Sequence, residues 1–315
     1  MSYRSLLRAL RFDGIWWRKF AYLGSVYAPE WWKRYSPPWI AAIIFCCVKP
    51  NRRGAVANMR RVLGSRGWLR DYWHGLRVFV AFAHSMNEAL EYFGTGERPG
   101  ARPLIVEQPA DDPIARTLTH SRGVILVTCH FGNWEVAART LARYEHPLNL
   151  VMAREANETT VDYVRRAREQ AGIRVLLSDS SVYGPFNILR ALRRNEIVAL
   201  QLDRPLGGEG ARAVEFFGAP AFFQAGPLRL ARLVGAPILP VFVVRLAPRH
   251  YRVVFGKERH VARTAGVEEM DRILAGIVAE FEKLVRRYPE QWFQFSPFWP
   301  ADVPAVTGTV EGRRN

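Results

Sequence analysis

The sequence predicts an α/β fold: a mostly parallel central sheet flanked by helices, preceded by a basic, Trp-rich helical region. From about residue 100, short apolar runs alternate with amphipathic stretches, which is typical of repeated strand–helix–strand units. The chain has 315 residues, enough for one large domain or two small ones. Hydrophobic residues make up 49% of it and charged residues 23%, which excludes a disordered or fibrous protein.

The predicted strands and helices follow one another in the order that a parallel sheet requires. Apolar runs predict strands at 123–129, 147–152, 173–177 and 196–202, with further β-rich segments at 237–246 and 251–255. Amphipathic stretches predict helices at 133–144, 158–171, 183–194, 225–234 and 267–287. We therefore expect a helical membrane-interface region at 1–100, an α/β core at 101–300 and a flexible tail at 301–315.

The positive charge is concentrated before the predicted sheet. Residues 1–70 hold fourteen Lys and Arg against two acids, and so carry +12 of the total net charge of +16. The same stretch contains six of the ten tryptophans. Basic residues interleaved with Trp are typical of a segment that lies in an anionic membrane interface. The alternative interpretation is a solvated basic face with tryptophans in the core.

No segment of the sequence predicts a membrane crossing. The longest uncharged apolar run, Trp39 to Val48, has ten residues. As a helix it would span about 15 Å, roughly half of a hydrocarbon core. We therefore expect peripheral attachment to a membrane rather than integral insertion.

Composition and spacing also exclude several kinds of site and partner. The net charge of +16 favours anionic partners, but no zinc-finger spacing or RNP-like stretch favours nucleic acid among them. Cys46, Cys47 and Cys129 are too few for a disulfide framework and indicate reduced thiols. We expect no metal site, because the sequence lacks C-x-x-C and H-E-x-x-H, and no serine nucleophile, because it lacks G-x-S-x-G.

The most informative segment is His130-Phe-Gly-Asn-Trp-Glu135, directly after the strand predicted at 123–129. Functional sites of open α/β sheets lie beyond the carboxyl ends of the strands. Gly132 permits a sharp turn and Asn133 is a suitable helix N-cap, which places Glu135 in the first helical turn. Its carboxylate can then fold back toward the imidazole, and a histidine held by a carboxylate is a general base for activating a hydroxyl.

Each residue of this pair has a structural alternative. His130 alone fits a hydrogen-bonded structural histidine, and Glu135 alone fits an acid that complements the helix dipole. The two residues together, at the carboxyl end of a strand, favour chemistry.

The segment 130–135 resembles the H-x4-D/E motif of the lysophospholipid acyltransferase superfamily, and is most similar to its lipid A biosynthesis acyltransferase family. Further segments resemble motifs of that family in the same order: 49–53 with 57–59, 151–157, 201–205, 216–220 with 226–227, 235–240 and 289–292. The resemblance covers most of the chain and implies a glycerolipid-acyltransferase-like core.

The resemblance also implies an enzyme and its reaction. A fatty acyl chain would move from a thioester, carried by acyl carrier protein or coenzyme A, to a hydroxyl of a lipid similar to a lipid A precursor. His130 would take the proton of that hydroxyl with the help of Glu135, and no cofactor besides the acyl thioester is implied. Both carriers are anionic and suit a basic protein, and the implied location is the cytoplasmic face of the bacterial inner membrane.

The resemblance further implies substrate-binding roles for Arg154, Asn157, Asp203, Arg204, Gly218 and Gly226. The two arginines are candidates to hold phosphates of the acceptor or donor, with solvated surface charges as the alternative. Asp203 is expected to position the acceptor or a positive group, with a turn residue as the alternative. The two glycines are expected to shape loops near the donor.

One departure from the family pattern leaves the acceptor open. The segment around Asp203 reads Leu-Asp-Arg-Pro where lipid A enzymes usually continue with Gly and aromatic residues. A glycolipid, an aminolipid or a phospholipid is therefore an alternative acceptor. A non-catalytic lipid-binding protein on the same fold is the alternative of another class, and such a protein has no need of the pair His130 and Glu135.

Overall fold

A computed structural model describes residues 15–95, 103–136, 141, 144, 146–153, 168–169, 172–178, 183–204 and 210–300. Of the predicted helices at 133–144 and 158–171, these ranges include only residues 133–136, 141, 144 and 168–169, and the predicted tail at 301–315 lies outside them. Every other predicted helix and strand is present, within a few residues of its predicted bounds.

In the described ranges, four helices precede the sheet: α1 (Ile15–Tyr27), α2 (Glu30–Cys47), α3 (Lys49–Leu63) and α4 (Trp68–Thr95). Four more follow within or after it: α5 (Pro113–Leu118), α6 (Tyr183–Arg193), α7 (Gly226–Val234) and α8 (Val267–Arg287), with a short 3-10 helix at Pro289–Gln291. The strands are β1 (Ile105–Glu107), β2 (Val124–Thr128), β3 (Leu148–Ala153), β4 (Ile173–Ser178), β5 (Ile197–Gln201), β6 (Ala211–Phe216), β7 (Ala219–Gln224), β8 (Ile238–Ala247) and β9 (His250–Phe255).

Seven strands form the central sheet, in the order β1-β9-β8-β2-β5-β3-β4. All neighbours pair in parallel except β8 and β9, so the predicted mostly parallel sheet is confirmed. Side chains of β2 alternate between two core clusters: Ile125 and Val127 enter one, and Val124 and Leu126 enter the other. The sheet is therefore covered on both faces, which explains why its strands are continuous apolar runs.

A two-stranded antiparallel hairpin, β6–β7, stands outside the central sheet. Its turn consists of Phe217 and Gly218, with φ angles of 51° and 71°. Two positive φ angles suit the tight turn that the twist of a hairpin favours. Gly218, expected in a loop, thus lies in a hairpin turn that the sequence did not predict.

The N-terminal helices pack directly on the α/β core. Asn58 of α3 is fully buried, and its amide donates to the carbonyls of Gln294 (2.8 Å) and Ser296 (2.9 Å). Its side-chain oxygen accepts the backbone N–H of Phe298 at 3.0 Å. A Cβ at Gly54 would lie 2.1 Å from the carbonyl oxygen of Phe295, so the glycine allows this close approach. A boundary near residue 100 stays a prediction.

The N-terminal helices expose large apolar side chains. On α2, Trp31, Tyr35, Trp39 and Ile43 recur every four residues and are 63%, 59%, 74% and 58% exposed; we call these four residues the aromatic face. Nearby helix surfaces also expose Phe20, Leu23 and Tyr27 of α1 and Trp68, Leu69, Tyr72 and Trp73 of α4. Of the helices in the described ranges, none has both the length and the apolar run needed to cross a bilayer.

Candidate active site

The site forms where two neighbouring strands end. Strands β2 and β5 pair in parallel with Thr128 opposite Gln201. His130 and Asp203 each lie two residues beyond this pair, so the register brings them side by side. Nδ1 of His130 lies 2.8 Å from Oδ1 of Asp203, and the backbone N–H of His130 donates to both carboxylate oxygens at 3.0 Å.

Asp203 is fully buried and held as an anion. Burial alone would raise the pKa of its carboxyl, but the positive charge that His130 carries when its ring is protonated and the hydrogen bonds from that residue lower the pKa below its usual value, with a further contribution from Arg204. Nε1 of Trp292 is a third donor, to Oδ2 at 3.1 Å. An ionised carboxylate that accepts hydrogen bonds from three donors is therefore fixed against the imidazole.

This contact sets the chemistry of His130. A neutral imidazole that donates its Nδ1 proton to Asp203 carries its free electron pair on Nε2. Within the described part of the chain, no residue is hydrogen-bonded to Nε2, and 9% of the side chain remains accessible. The Trp134 ring lies edge-on, with the ring centroids 5.3 Å apart. His130 is thus arranged to accept a proton from a group that enters the site.

The turn after β2 is held by backbone contacts. Gly132 has φ of 59°, which confirms the sharp turn predicted there, and a Cβ at this position would lie 1.6 Å from the carbonyl oxygen of Val243. Its N–H donates to the carbonyl of Gln291 at 2.8 Å, and the N–H of Phe293 donates to the carbonyl of His130 at 2.7 Å. No side chain fits at residue 132 without displacing β8.

Asn133 is the N-cap that the sequence predicts. Its side-chain oxygen accepts the backbone N–H of Val136 at 3.3 Å, and residues 134–136 are helical. Glu135 lies in the first helical turn, also as predicted.

The predicted contact between Glu135 and His130 is wrong. The Glu135 carboxylate binds the guanidinium of Arg168, whose Nε lies 3.2 Å from Oε2. It also accepts a hydrogen bond from Nε1 of Trp134 at 3.2 Å. The side chains of this ion pair are only 13% and 10% exposed. The difference arises because the imidazole Nδ1 faces the end of the neighbouring strand β5, where Asp203 occupies the position that Glu135 was expected to take.

The other predicted site residues differ in what the structure describes of them. Arg154 and Asn157 lie outside the described residues. Arg204 is exposed next to Asp203, and its carbonyl accepts the side-chain amide of Gln224 at 3.2 Å. Gly226 is the first residue of α7, where an added Cβ would meet no atom within 4 Å, so packing sets no need for glycine there.

Sequence reasoning missed Trp292 and Arg168 as parts of the site. Trp292 is fully buried, and 89 residues separate it from the carboxylate that it orients. The pairing of His130 with Asp203 did leave a signal, because both residues follow predicted strands at nearly the same distance. Strand order, which the sequence does not reveal by itself, was the missing information.

Comparison with known proteins places this site in a family. Residues 105–300 match a family model described as bacterial lipid A biosynthesis acyltransferase. A phosphatidylinositol mannoside acyltransferase of Mycobacterium tuberculosis (strain CDC 1551 / Oshkosh) is 28% identical over 196 residues, which is 61% of this chain and 59% of that protein. The enzyme of the same name from Mycolicibacterium smegmatis is 27% identical over 193 residues, 61% of this chain and 62% of that protein.

A lipid A biosynthesis palmitoleoyltransferase of Escherichia coli (strain K12) is 26% identical over 183 residues, 58% of this chain and 57% of that protein. The chain thus matches these relatives over about three fifths of their length. The family model, in contrast, matches more than half of this chain, from β1 through the His130 turn and Asp203 to the end of the described core. The chain therefore belongs to the bacterial lipid A biosynthesis acyltransferase family.

Proposed function

We propose that the protein transfers a fatty acyl chain from a thioester to a hydroxyl of a membrane glycolipid. The observation that carries the proposal is the contact between His130 and the buried Asp203, which leaves Nε2 of the imidazole as a proton acceptor. Membership of an acyltransferase family supports the same reaction.

In the proposed reaction, the acceptor oxygen displaces the thiol of the thioester directly, and His130 and Asp203 provide the proton transfer. The acceptor hydroxyl gives its proton to Nε2 of His130 while its oxygen attacks the carbonyl carbon of the thioester. The carbon–sulfur bond then breaks, and the leaving thiolate takes the proton back from the imidazolium. Asp203 stabilises the imidazolium, as the carboxylate of a catalytic triad does. No covalent acyl-enzyme is required, because the thioester is already activated.

In this proposal Glu135 does not contact the imidazole, although contact is the role that its spacing from His130 in the sequence suggests. Its carboxylate holds the guanidinium of Arg168 beside the first turn of the helix that follows His130. We assign Asp203 as the direct partner of the base and Glu135 as a positioning residue that acts through Arg168.

The names of the relatives support two candidate classes of acceptor. One group carries the name of phosphatidylinositol mannoside acyltransferases and the other that of lipid A acyltransferases. A lipid A precursor is our first candidate acceptor, on the basis of the family model. A mannoside of phosphatidylinositol is the second, and the Leu-Asp-Arg-Pro departure at 202–205 favours testing it.

The location that we propose is the cytoplasmic face of the bacterial inner membrane, where the lipid acceptor meets acyl carrier protein or coenzyme A. Two features support it: the aromatic face of α2, and the concentration of +12 charges in residues 1–70. Exposed Trp and Tyr favour the headgroup region, and Lys and Arg favour anionic lipids.

The test is a transfer assay read by lipid mass spectrometry. The purified protein is incubated with palmitoyl-coenzyme A or palmitoyl–acyl carrier protein, and with a lipid A precursor or a phosphatidylinositol mannoside. We expect one acceptor to gain the mass of one acyl chain, and His130→Ala to lower the rate at least about 10³-fold. His260→Ala, which removes a 63% exposed imidazole elsewhere, is the control and should retain the wild-type rate. Equal rates for His130→Ala and wild type would refute the proposal.

A further inference from the structure

A buried polar chain connects the N-terminal helix α4 to the turn that carries His130. It begins at Glu88 of α4, which is only 6% exposed. The Glu88 carboxylate accepts hydrogen bonds from the guanidinium of Arg245, whose Nε lies 3.2 Å from both carboxylate oxygens. The same carboxylate accepts the hydroxyl of Tyr251, which is fully buried on β9. The Tyr251 oxygen in turn accepts the side-chain amide of Asn133 at 3.0 Å.

In this buried polar chain from Glu88 to Asn133, the donor and the acceptor of each hydrogen bond can be assigned. Burial and the neighbouring Glu88 carboxylate raise the pKa of Tyr251, so its hydroxyl stays protonated and donates to Glu88. The Tyr251 oxygen is then left as an acceptor for Asn133. Because the Asn133 side-chain oxygen already caps the helix at Val136, its NH2 group must find acceptors on the opposite side.

Those acceptors come from outside the central parallel strands. They are the Tyr251 oxygen and the carbonyl of Ser85 on α4, at 2.9 Å. Asn133 lies three residues after His130, and both belong to a turn whose backbone is bonded to β8 and to the 289–293 segment. An Asn133 amide that rotates would lose the cap and loosen the turn that presents the imidazole.

We infer that Glu88 and Tyr251 are positioning residues of the active site, which act through Asn133 to hold the His130 turn. The inference rests on the proposed acyl transfer for its catalytic meaning. In structural terms, the inference says that residues of α4 and β9 hold the turn that carries His130. The N-terminal helical region would then contribute to catalysis as well as to the proposed membrane attachment.

Helix α4 provides a matched control one turn further along. Glu91 joins α4 to the β8–β9 turn through Arg249 at 2.6 Å, and to α2 through Lys33 at 2.9 Å. It is nearly as buried as Glu88, with side-chain exposures of 11% and 7%. The backbone N–H of Arg249 also donates to the Glu88 carboxylate, at 3.2 Å, but Glu91 binds the guanidinium of Arg249. Glu91→Gln therefore removes a comparable ion pair and leaves in place every group that forms the hydrogen bonds from Glu88 through Tyr251 to Asn133.

The experiment compares Tyr251→Phe, Glu88→Gln, their double variant and Glu91→Gln. For each protein, the transfer assay gives kcat and KM, hydrogen exchange gives the protection of amides 130–133, and denaturant gives the free energy of unfolding. We expect Tyr251→Phe and Glu88→Gln to lower kcat about tenfold to a hundredfold with KM little changed, and to speed exchange in the turn. The double variant should lose no more than the worse single variant, since both act through one chain. Glu91→Gln should lower stability but leave kcat and the exchange of the turn unchanged.

Three results would overturn the inference: wild-type exchange of the turn in both single variants, faster exchange with unchanged kcat, or equal losses of kcat in Glu88→Gln and Glu91→Gln. The exchange measurement needs no substrate. If the wild-type protein transfers no acyl group while the turn still responds to Tyr251→Phe, the proposed function fails and the structural link stands.

Discussion

At the scale of single residues, the distinction between Asp203 and Glu135 decides the site. Both are carboxylates near the strand end that carries His130, but only Asp203 bonds to the imidazole, while Glu135 bonds to Arg168. Asp203 also receives the backbone N–H of His130, so one carboxylate orients both the ring and its peptide. A buried anion with this many donors stays ionised when the ring takes a proton.

The sequence predicted the turn at Gly132, the cap at Asn133 and the position of His130 directly after a strand, because these depend on neighbouring residues. It did not predict the hydrogen-bond partner of His130, since a spacing of five residues favours a local contact. The actual partner is 73 residues away and is chosen by the pairing of β2 with β5.

At the scale of elements, the predictable parts were those with strong periodicity. The buried parallel strands and the long helix α8 appear within a few residues of their predicted bounds. The hairpin β6–β7 was missed, because Phe217-Gly218 lacks the Asn-Gly or Asp-Gly signal of a tight turn. Strand β1 was missed because its three residues are too few to show a period.

The contact of α3 with the segment 294–298 provides a test at this scale. We expect Asn58→Ala to lower the free energy of unfolding by about 2–4 kcal/mol, because it leaves the buried carbonyl of Gln294, the partly buried carbonyl of Ser296 and the buried N–H of Phe298 without their partner. Denaturant unfolding measures the change, and Asn51→Ala, at an exposed position of the same helix, is the control. Equal stabilities of the two variants would show that α3 is not held to the core through Asn58.

At the scale of the whole molecule, helix α4 relates the proposed membrane surface to the active site. Its first turns expose Trp68 and Trp73, and Ser85 contacts Asn133. Twelve residues separate Trp73 from Ser85, or about 18 Å along a helix. Composition predicted a basic, aromatic N-terminal region, but not that one of its helices reaches the His130 turn, because that contact depends on tertiary packing.

The aromatic face makes a prediction for membrane binding. We expect Trp31→Ser with Trp39→Ser to weaken binding to vesicles of phosphatidylglycerol and phosphatidylcholine at least about tenfold, because two interfacial rings are lost. Raised salt should weaken it further by screening the basic residues. Flotation of the vesicles measures the bound fraction. Phe186→Ser, which removes a 60% exposed ring from α6, is the control and should bind as wild type does. Undiminished binding of the double variant would exclude this face from the membrane contact.

In the proposed reaction, Asp203 keeps the His130 imidazole in the form and orientation of a base. The most direct test is the single-turnover rate of acyl transfer by Asp203→Asn, with the donor and acceptor that the transfer assay identifies. An asparagine retains the shape of the side chain but not its charge, and it can present an N–H to Nδ1, which favours the wrong tautomer. We predict a rate about 10³- to 10⁴-fold below that of the wild type. A rate within a few fold of the wild type would show that His130 does not depend on Asp203 to act as a base.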